Sequence, residues 1–425
     1  MLDSEARGRH GHDLPDSRTL RARCCIAGGG PAGMMLGFLL ARAGIEVIVL
    51  EKHADFLRDF RGDTIHPSTL EVMHELGLLD DFLRRPHQKV YELTAQIGDT
   101  AVRVADFSRL PTRCKFIAFV PQWDFLDFLA DHARQYPAFK LIMQAEVTDL
   151  VWEGGRVAGV IARTPDGERE VRADLVVGAD GRTSLVREKA GLEVVDVGAP
   201  IDVLWMRISR QPSDPEQALG RIAPGRMMVM INRGDYWQCA YVIPKGTFAT
   251  VQRNGLAAFR QDIAKLVPWL GSRVDELGRW DDIKLLTVRI DRLRQWHRPG
   301  LLCIADAAHA MSPVGGVGIN LAIQDAVAAA NILAAPLQSG SVTVEHLRQV
   351  QKRREWPTRL TQALQVFLQE RLIRRALTST VAMSPPWPLR LAQRWPVLQR
   401  GLARIVGVGF RPERVAVAAA SAASP

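Results

Sequence analysis

The 425-residue chain has no run of about 18 apolar residues, so no segment reads as a membrane-spanning helix. The stretch from Met1 to Arg23 is polar and mixed in charge, without the apolar centre of a secretory leader. Residues 1–20 are expected to be a disordered extension. Cysteine is scarce and odd in number: Cys24, Cys25, Cys114, Cys239 and Cys303. No C-x-x-C pair occurs, which argues against a disulfide framework and a zinc site. No metal is expected, and a reducing, cytoplasmic compartment fits best. There is no internal repeat. With 47% hydrophobic and 24% charged residues, a disordered chain, a collagen and a coiled coil are excluded. The length suggests two domains.

Excess positive charge is missing from most of the chain. The net charge is +9, but residues 351–425 hold 13 basic and 3 acidic residues. The rest is close to neutral, so no nucleic-acid partner is expected, because such a reader needs its charge on the recognition face. Packing onto the body or onto a second copy is the expected role of the basic segment. Contact with an anionic membrane surface is the alternative.

Arg23–Ala27 reads as a buried parallel strand running into three glycines. Pro31–Ala43 reads as a helix stopped by Gly44, and Glu46–Leu50 as a second strand, which makes a βαβ unit. Helical spacing recurs over Thr69–Leu76 and Phe125–Arg134, and turns fall at Gly154-Gly155 and Asp166-Gly167. Between about Val195 and Arg289 the texture changes to extended runs: Ile201–Ile208, Arg226–Ile231 and Trp237–Ile243. These read as an antiparallel sheet inserted into an α/β domain. A buried strand returns at Leu301–Ala305, followed by an Ala-rich helix over 320–334. Beyond Gln351 the chain reads as helical, broken by Pro357, Pro385, Pro386, Pro388 and Pro396.

The chemistry concentrates in three patterns. Gly28-x-Gly30-x-x-Gly33 follows the first strand, with Gly37 four residues on. There Gly28 permits the tight turn, Gly30 lets backbone approach a pyrophosphate, and Gly33 lets helix pack on sheet. The helix start adds oriented N–H groups and partial positive charge. Glu51 ends the second strand, where a carboxylate can hold an adenosine ribose. The second pattern is Gly178-Ala179-Asp180-Gly181-Arg182, with Arg187 following. The third is Ala305-Asp306-Ala307-Ala308-His309 with Pro313, Gly315-Gly316 and Gly318-Ile319-Asn320.

In their order these patterns resemble the flavoprotein aromatic hydroxylases, single-component FAD monooxygenases typified by 4-hydroxybenzoate hydroxylase. The resemblance covers roughly residues 22–350, and Ala305-Asp306 departs from the family's Gly-Asp. It implies an α/β fold: a Rossmann-like FAD-binding domain over 21–195 and 290–350, and an inserted antiparallel-sheet substrate domain over 196–289 with part of 85–118. A C-terminal helical segment over 351–425 completes it. By the same resemblance Gly28, Gly30, Pro31, Ala32, Gly33, Glu51 and Lys52 belong to the ADP half of the site, and Arg61 and Gly62 lie along the flavin. Gln122 meets the ribityl or phosphate region, Val147 the adenine, Asp180 both FAD and the nicotinamide cofactor, and Asp306 a ribityl hydroxyl. Pro313, Gly316, Gly318, Ile319 and Asn320 form a helix start facing the flavin N1–C2=O edge, where a helix N-terminus stabilises the reduced ring's charge.

The implied reaction uses NAD(P)H and O2 and passes through a flavin C4a-hydroperoxide shielded from water, with one oxygen atom entering an electron-rich ring. No catalytic base can be named, although His66 is a candidate proton relay. NAD(P)H is expected to bind transiently, since no second dinucleotide fold is visible. On the substrate side, Trp205, Met228, Met230 and Ala240 are the expected lining, which implies a small, hydrophobic aromatic or polycyclic substrate. Core packing is the other explanation for the Met and Trp residues. A reductase of lipophilic prenyl-type substrates and a non-catalytic flavin-binding protein are the competing readings. The segment Trp237–Pro244 does not match a halogenase W-x-W-x-I-P signature. Monomer and homodimer are both compatible.

Overall fold

The computed structural model describes residues 19–57, 64–216, 219–381, 384–385 and 395–420. The expected extension over 1–20 falls almost wholly outside these, as do Arg61, Gly62 and the prolines Pro386 and Pro388.

A run of buried, β-rich residues makes the first strand, Thr19–Ala27, whose last four residues are fully sequestered. It pairs in parallel with Val47–Leu50 on one side and with Gly167–Gly178 on the other. Two further parallel strands extend the sheet, Phe139–Ile142 beyond Val47–Leu50 and Leu301–Cys303 beyond Gly167–Gly178. Hairpins at 153–156 and 164–167 add Glu146–Glu153 and Arg156–Thr164. The buried strands need a covering layer, and Pro31–Arg42, which packs against Gly318–Gln338, forms one large core with it and the sheet. Gly318–Gln338 is long and apolar enough to cross a membrane. However, 78% of its apolar window is buried inside the protein, as befits a core helix.

A second sheet has seven strands, built from Lys284–Leu286, Ile201–Ser209, Tyr236–Pro244, Arg226–Asn232, Leu219–Ala223, Glu92–Ile97 and Thr100–Asp106 in spatial order. It is not wholly antiparallel: Leu219–Ala223 lies parallel to Glu92–Ile97. That seam joins strands far apart in sequence, which local hairpin signals cannot register. One face buries Leu204, Met206, Met228, Met230, Trp237, Cys239 and Tyr241 against the helix Leu256–Leu266 and the turns after it. The opposite face carries Val203, Trp205, Met227, Val229, Ala240 and Val242.

Pro357 does not break the C-terminal segment. It is buried inside one helix, Val344–Leu368. Proline costs a helix interior about 3 kcal/mol. Leu347, Val350, Arg354, Thr358, Gln362 and Gln365 are buried along one stripe of this helix and carry it past the proline. Pro396 likewise opens a helix, Pro396–Gly407, at its first position. After this helix an irregular strap, 408–420, crosses back over the first sheet's helices. Asn331 bonds Arg414 O, Ala416 N and Val417 N, Glu75 accepts from Val415 N, and Ala420 N reaches Arg42 O.

Candidate active site

The three sequence patterns meet at the carboxyl ends of the parallel strands. Gly28 holds φ +106, and a Cβ there would lie 2.4 Å from Ala179 O. A Cβ on Gly33 would lie 1.9 Å from Gly28 O, so both glycines are compulsory. Gly30 faces open space, where a Cβ would meet nothing within 4 Å, directly before the helix Pro31–Arg42. That helix start has no side-chain cap, so its N–H groups face the opening. Pro31 and Ala32 form its first turn. Glu51 is buried and accepts Gly29 N at 2.9 Å and His53 N at 3.1 Å, which ties the acidic strand end to the glycine turn. Lys52 is exposed beside it. Ala145 N donates to Glu51 O at 2.9 Å, which brings the strand bearing Val147 alongside.

Asp180 abuts the glycine turn, its Cα 2.9 Å from where a Cβ on Gly28 would stand. Its Oδ2 accepts Val186 N at 3.1 Å, while its Oδ1 is buried without a partner. Burial pushes the Asp180 carboxyl up, against the pull of Ser184 and nearby backbone N–H groups. Asp306 follows Leu301–Cys303 in a short turn, half-buried, with Arg182 Nη2 3.7 Å away. Pro313 and Gly316 lead to the late helix Gly318–Gln338, which also lacks a side-chain cap. Gly316 O accepts the Thr64 hydroxyl at 2.7 Å. Asn320 is fully engaged by protein: its Oδ1 takes His66 N at 2.9 Å and the Thr69 hydroxyl at 2.7 Å, and its Nδ2 reaches Thr64 O at 3.3 Å. Ile319 is buried beside it. Gln122 begins the helix Gln122–Ala133, half-buried.

The four residues expected to line a substrate pocket do not share a face. Trp205 and Ala240 are directly paired across the sheet, and Val229 opposes Ala240. Met228 and Met230 alternate to the other side and are wholly buried in its core. Strand side chains alternate, so it is the positions one residue back, Met227 and Val229, that share the face of Trp205 and Ala240. Val314, just before the late helix, packs in the cluster that holds Trp205 and Ala240. Thr64 carries no signal in the sequence, because its role depends on a contact across 252 residues.

This arrangement defines a dinucleotide-binding α/β flavoprotein. The orphaned Asp180 Oδ1, the open space at Gly30 and two uncapped helix starts fit FAD. Residues 21–363 match the family described as FAD binding domain. A 6-methylpretetramide 4-monooxygenase of Streptomyces rimosus is 33% identical over 402 residues, 93% of this chain and 94% of that protein. A rifampicin monooxygenase of Streptomyces venezuelae is 30% identical over 71% of this chain, which spans 61% of that relative's length. The p-nitrophenol 4-monooxygenase structure from Pseudomonas putida has a TM-score of 0.73 at 20% identity, covering 91% of this chain and 97% of that one. The flavin-dependent brominase Bmp2 has a TM-score of 0.74 at 17% identity, covering 91% and 93%, so shape alone does not separate these chemistries. The chain belongs to the FAD binding domain family, among its flavoprotein aromatic hydroxylases. It is an FAD-dependent monooxygenase that uses NAD(P)H and O2. Among the described residues no cluster of His, Cys, Asp and Glu could hold a metal ion.

Proposed function

We propose that the enzyme hydroxylates a hydrophobic polycyclic aromatic, bound between the apolar face of the seven-stranded sheet and the loop before the late helix. One observation carries this reading: Trp205, Met227, Val229 and Ala240 pack on that face in one apolar cluster with Val314. A substrate held there would be selected by area and shape. The relative named for 6-methylpretetramide supports a polycyclic substrate.

In this reading residues 21–195 and 290–350 are the FAD domain, and the sheet with its two strands from 92–106 is the substrate domain. Gly28, Gly30, Gly33 and the first helix start hold the pyrophosphate. Glu51 holds the adenosine ribose and Asp306 the ribityl chain. The start of Gly318–Gln338 faces the pyrimidine edge of the ring and favours negative charge there. When bound, FAD supplies electron transfer from NAD(P)H and delivery of one oxygen atom of O2 to the substrate ring. The protein's own part is to orient the ring system, keep water away with the apolar sheet face, and keep Asp180 at the glycine turn. Five buried thiols suit a reducing, cytoplasmic setting.

The test is coupled turnover. FAD-loaded protein is offered 6-methylpretetramide, a panel of polycyclic phenols and 4-hydroxybenzoate, with NADH or NADPH under 18O2. Polycyclic phenols should stimulate NAD(P)H oxidation more than 4-hydroxybenzoate and should carry the label in the product. Stimulated oxidation with no label in any product would overturn the reading.

A further inference from the structure

Asp325 lies within the late helix, fully buried, and no part of the site described above uses it. Its Oδ2 accepts Ala305 N at 3.0 Å and meets His309 Nε2 at 2.6 Å, and its Oδ1 accepts Arg354 Nε at 2.9 Å. Ala305 is the residue before Asp306, and it holds φ +53. In that left-handed region Cβ crowds the following carbonyl, and an alanine stays there only when its surroundings hold it. The bond from its N–H to Asp325 is such a hold.

The anchor continues outward. Arg354, 1% exposed, also donates to Arg411 O at 2.9 Å and meets Glu413 at 3.3 Å. Glu413, itself buried, takes a two-pronged pair from Arg353 at 2.7 and 2.9 Å, and its N–H donates to Gln324 Oε1. A buried line of charges thus runs from the C-terminal strap, through Arg354 and Asp325, to the turn that carries Asp306. Each charge is buried with the others as partners, so the line stands or loosens as a unit.

We propose that Asp325 is a positioning residue for FAD: braced by Arg354 and the strap, it holds Ala305 in the left-handed turn that aims Asp306 at the ribityl chain. The proposal rests on Asp306 being a cofactor contact. Without the brace, Ala305 relaxes toward negative φ and the Asp306 backbone turns with it. Glycine at 305 has no Cβ to crowd, so it keeps the turn with less help.

The experiment is FAD titration of apoprotein, followed by flavin fluorescence, beside thermal unfolding of the apoprotein. Asp325→Asn keeps the shape but cannot accept on both sides. It should weaken FAD binding about tenfold, and Glu413→Gln, which loosens only the outer brace, about threefold. Adding Ala305→Gly to either should recover most of the lost affinity without recovering the lost unfolding temperature. A lower unfolding temperature with unchanged affinity marks Asp325 as merely structural and overturns the proposal, as does failure of Ala305→Gly to rescue. If Asp325→Asn does not fold, Glu413→Gln and its Ala305→Gly double variant decide by the same criteria. Asp306→Asn separates the two layers. Unchanged affinity there removes the Asp306 reading and this proposal with it. Weakened affinity there, beside normal affinity in Asp325→Asn, removes this proposal alone.

Discussion

His66 shows what burial does to one side chain at the edge of this site. Its ring is fully buried, and Nδ1 lies 2.7 Å from Val406 O. A carbonyl can only accept, so Nδ1 carries the hydrogen and Nε2, which has no partner, is bare. Burial lowers its pKa from 6.5 to about 4, with the Val406 bond opposing. At neutral pH the ring is therefore uncharged, which suits a fixed structural strut better than a proton relay. The sign of the pH effect follows. The unfolded chain binds this proton below about pH 6.5, while the folded one resists it until about pH 4. The contribution is intact above 6.5, erodes as pH falls toward 4, and amounts to about 3 kcal/mol. Asn at this position keeps a donor for Val406 and does not titrate. In urea unfolding at pH 7 and 4.5, the native protein should lose about 2–3 kcal/mol more than His66→Asn. Equal losses would show that His66 titrates alike in both states.

At the scale of elements, the strap is held by side chains rather than by sheet or helix hydrogen bonds. Asn331 alone satisfies Arg414 O, Ala416 N and Val417 N at 2.8 to 3.0 Å. The site is exposed, so water can replace these bonds and Asn331→Ala should cost only about 1–2 kcal/mol. The local consequence is larger: the Arg414–Val415 bond should be cut several times faster by trypsin than in the native protein, read by mass spectrometry, with cleavage elsewhere unchanged. Unchanged cleavage would mean that the strap is held elsewhere. This element was not legible in the sequence, because small residues and a few arginines carry no periodicity and their partners lie from about 60 to more than 300 positions away. The first strand, glycine turn and helix were legible for the opposite reason. There each residue's task is local, from the buried run at Cys24–Ala27 to the glycines that must let backbone pass backbone. Pro357 misled because propensity is local and the stripe from Leu347 to Gln365 is not.

For the whole molecule, the seven-stranded sheet is a partition with two different jobs. Its far side is core: Met228, Met230, Trp237 and Cys239 are wholly buried against Phe259, Ile263 and Leu266. Its near side faces the loop before the late helix and the C-terminal helices through Val314, Ile373 and Leu377. The extended runs in 201–243 were readable as strands, but not which of their faces is packed away as core. That depends on how two sheets are set against each other, and a one-residue shift inverts the answer. The two faces should therefore fail differently. Met228→Ala leaves a cavity in a packed core and should cost about 2–5 kcal/mol of stability, with KM for a polycyclic phenol unchanged. Val229→Trp fills space on the near face and should raise that KM about tenfold or more, with a smaller loss of stability. Steady-state kinetics and thermal unfolding on the two variants, side by side, decide it. A large KM effect in Met228→Ala with none in Val229→Trp would place the substrate on the wrong side of the sheet.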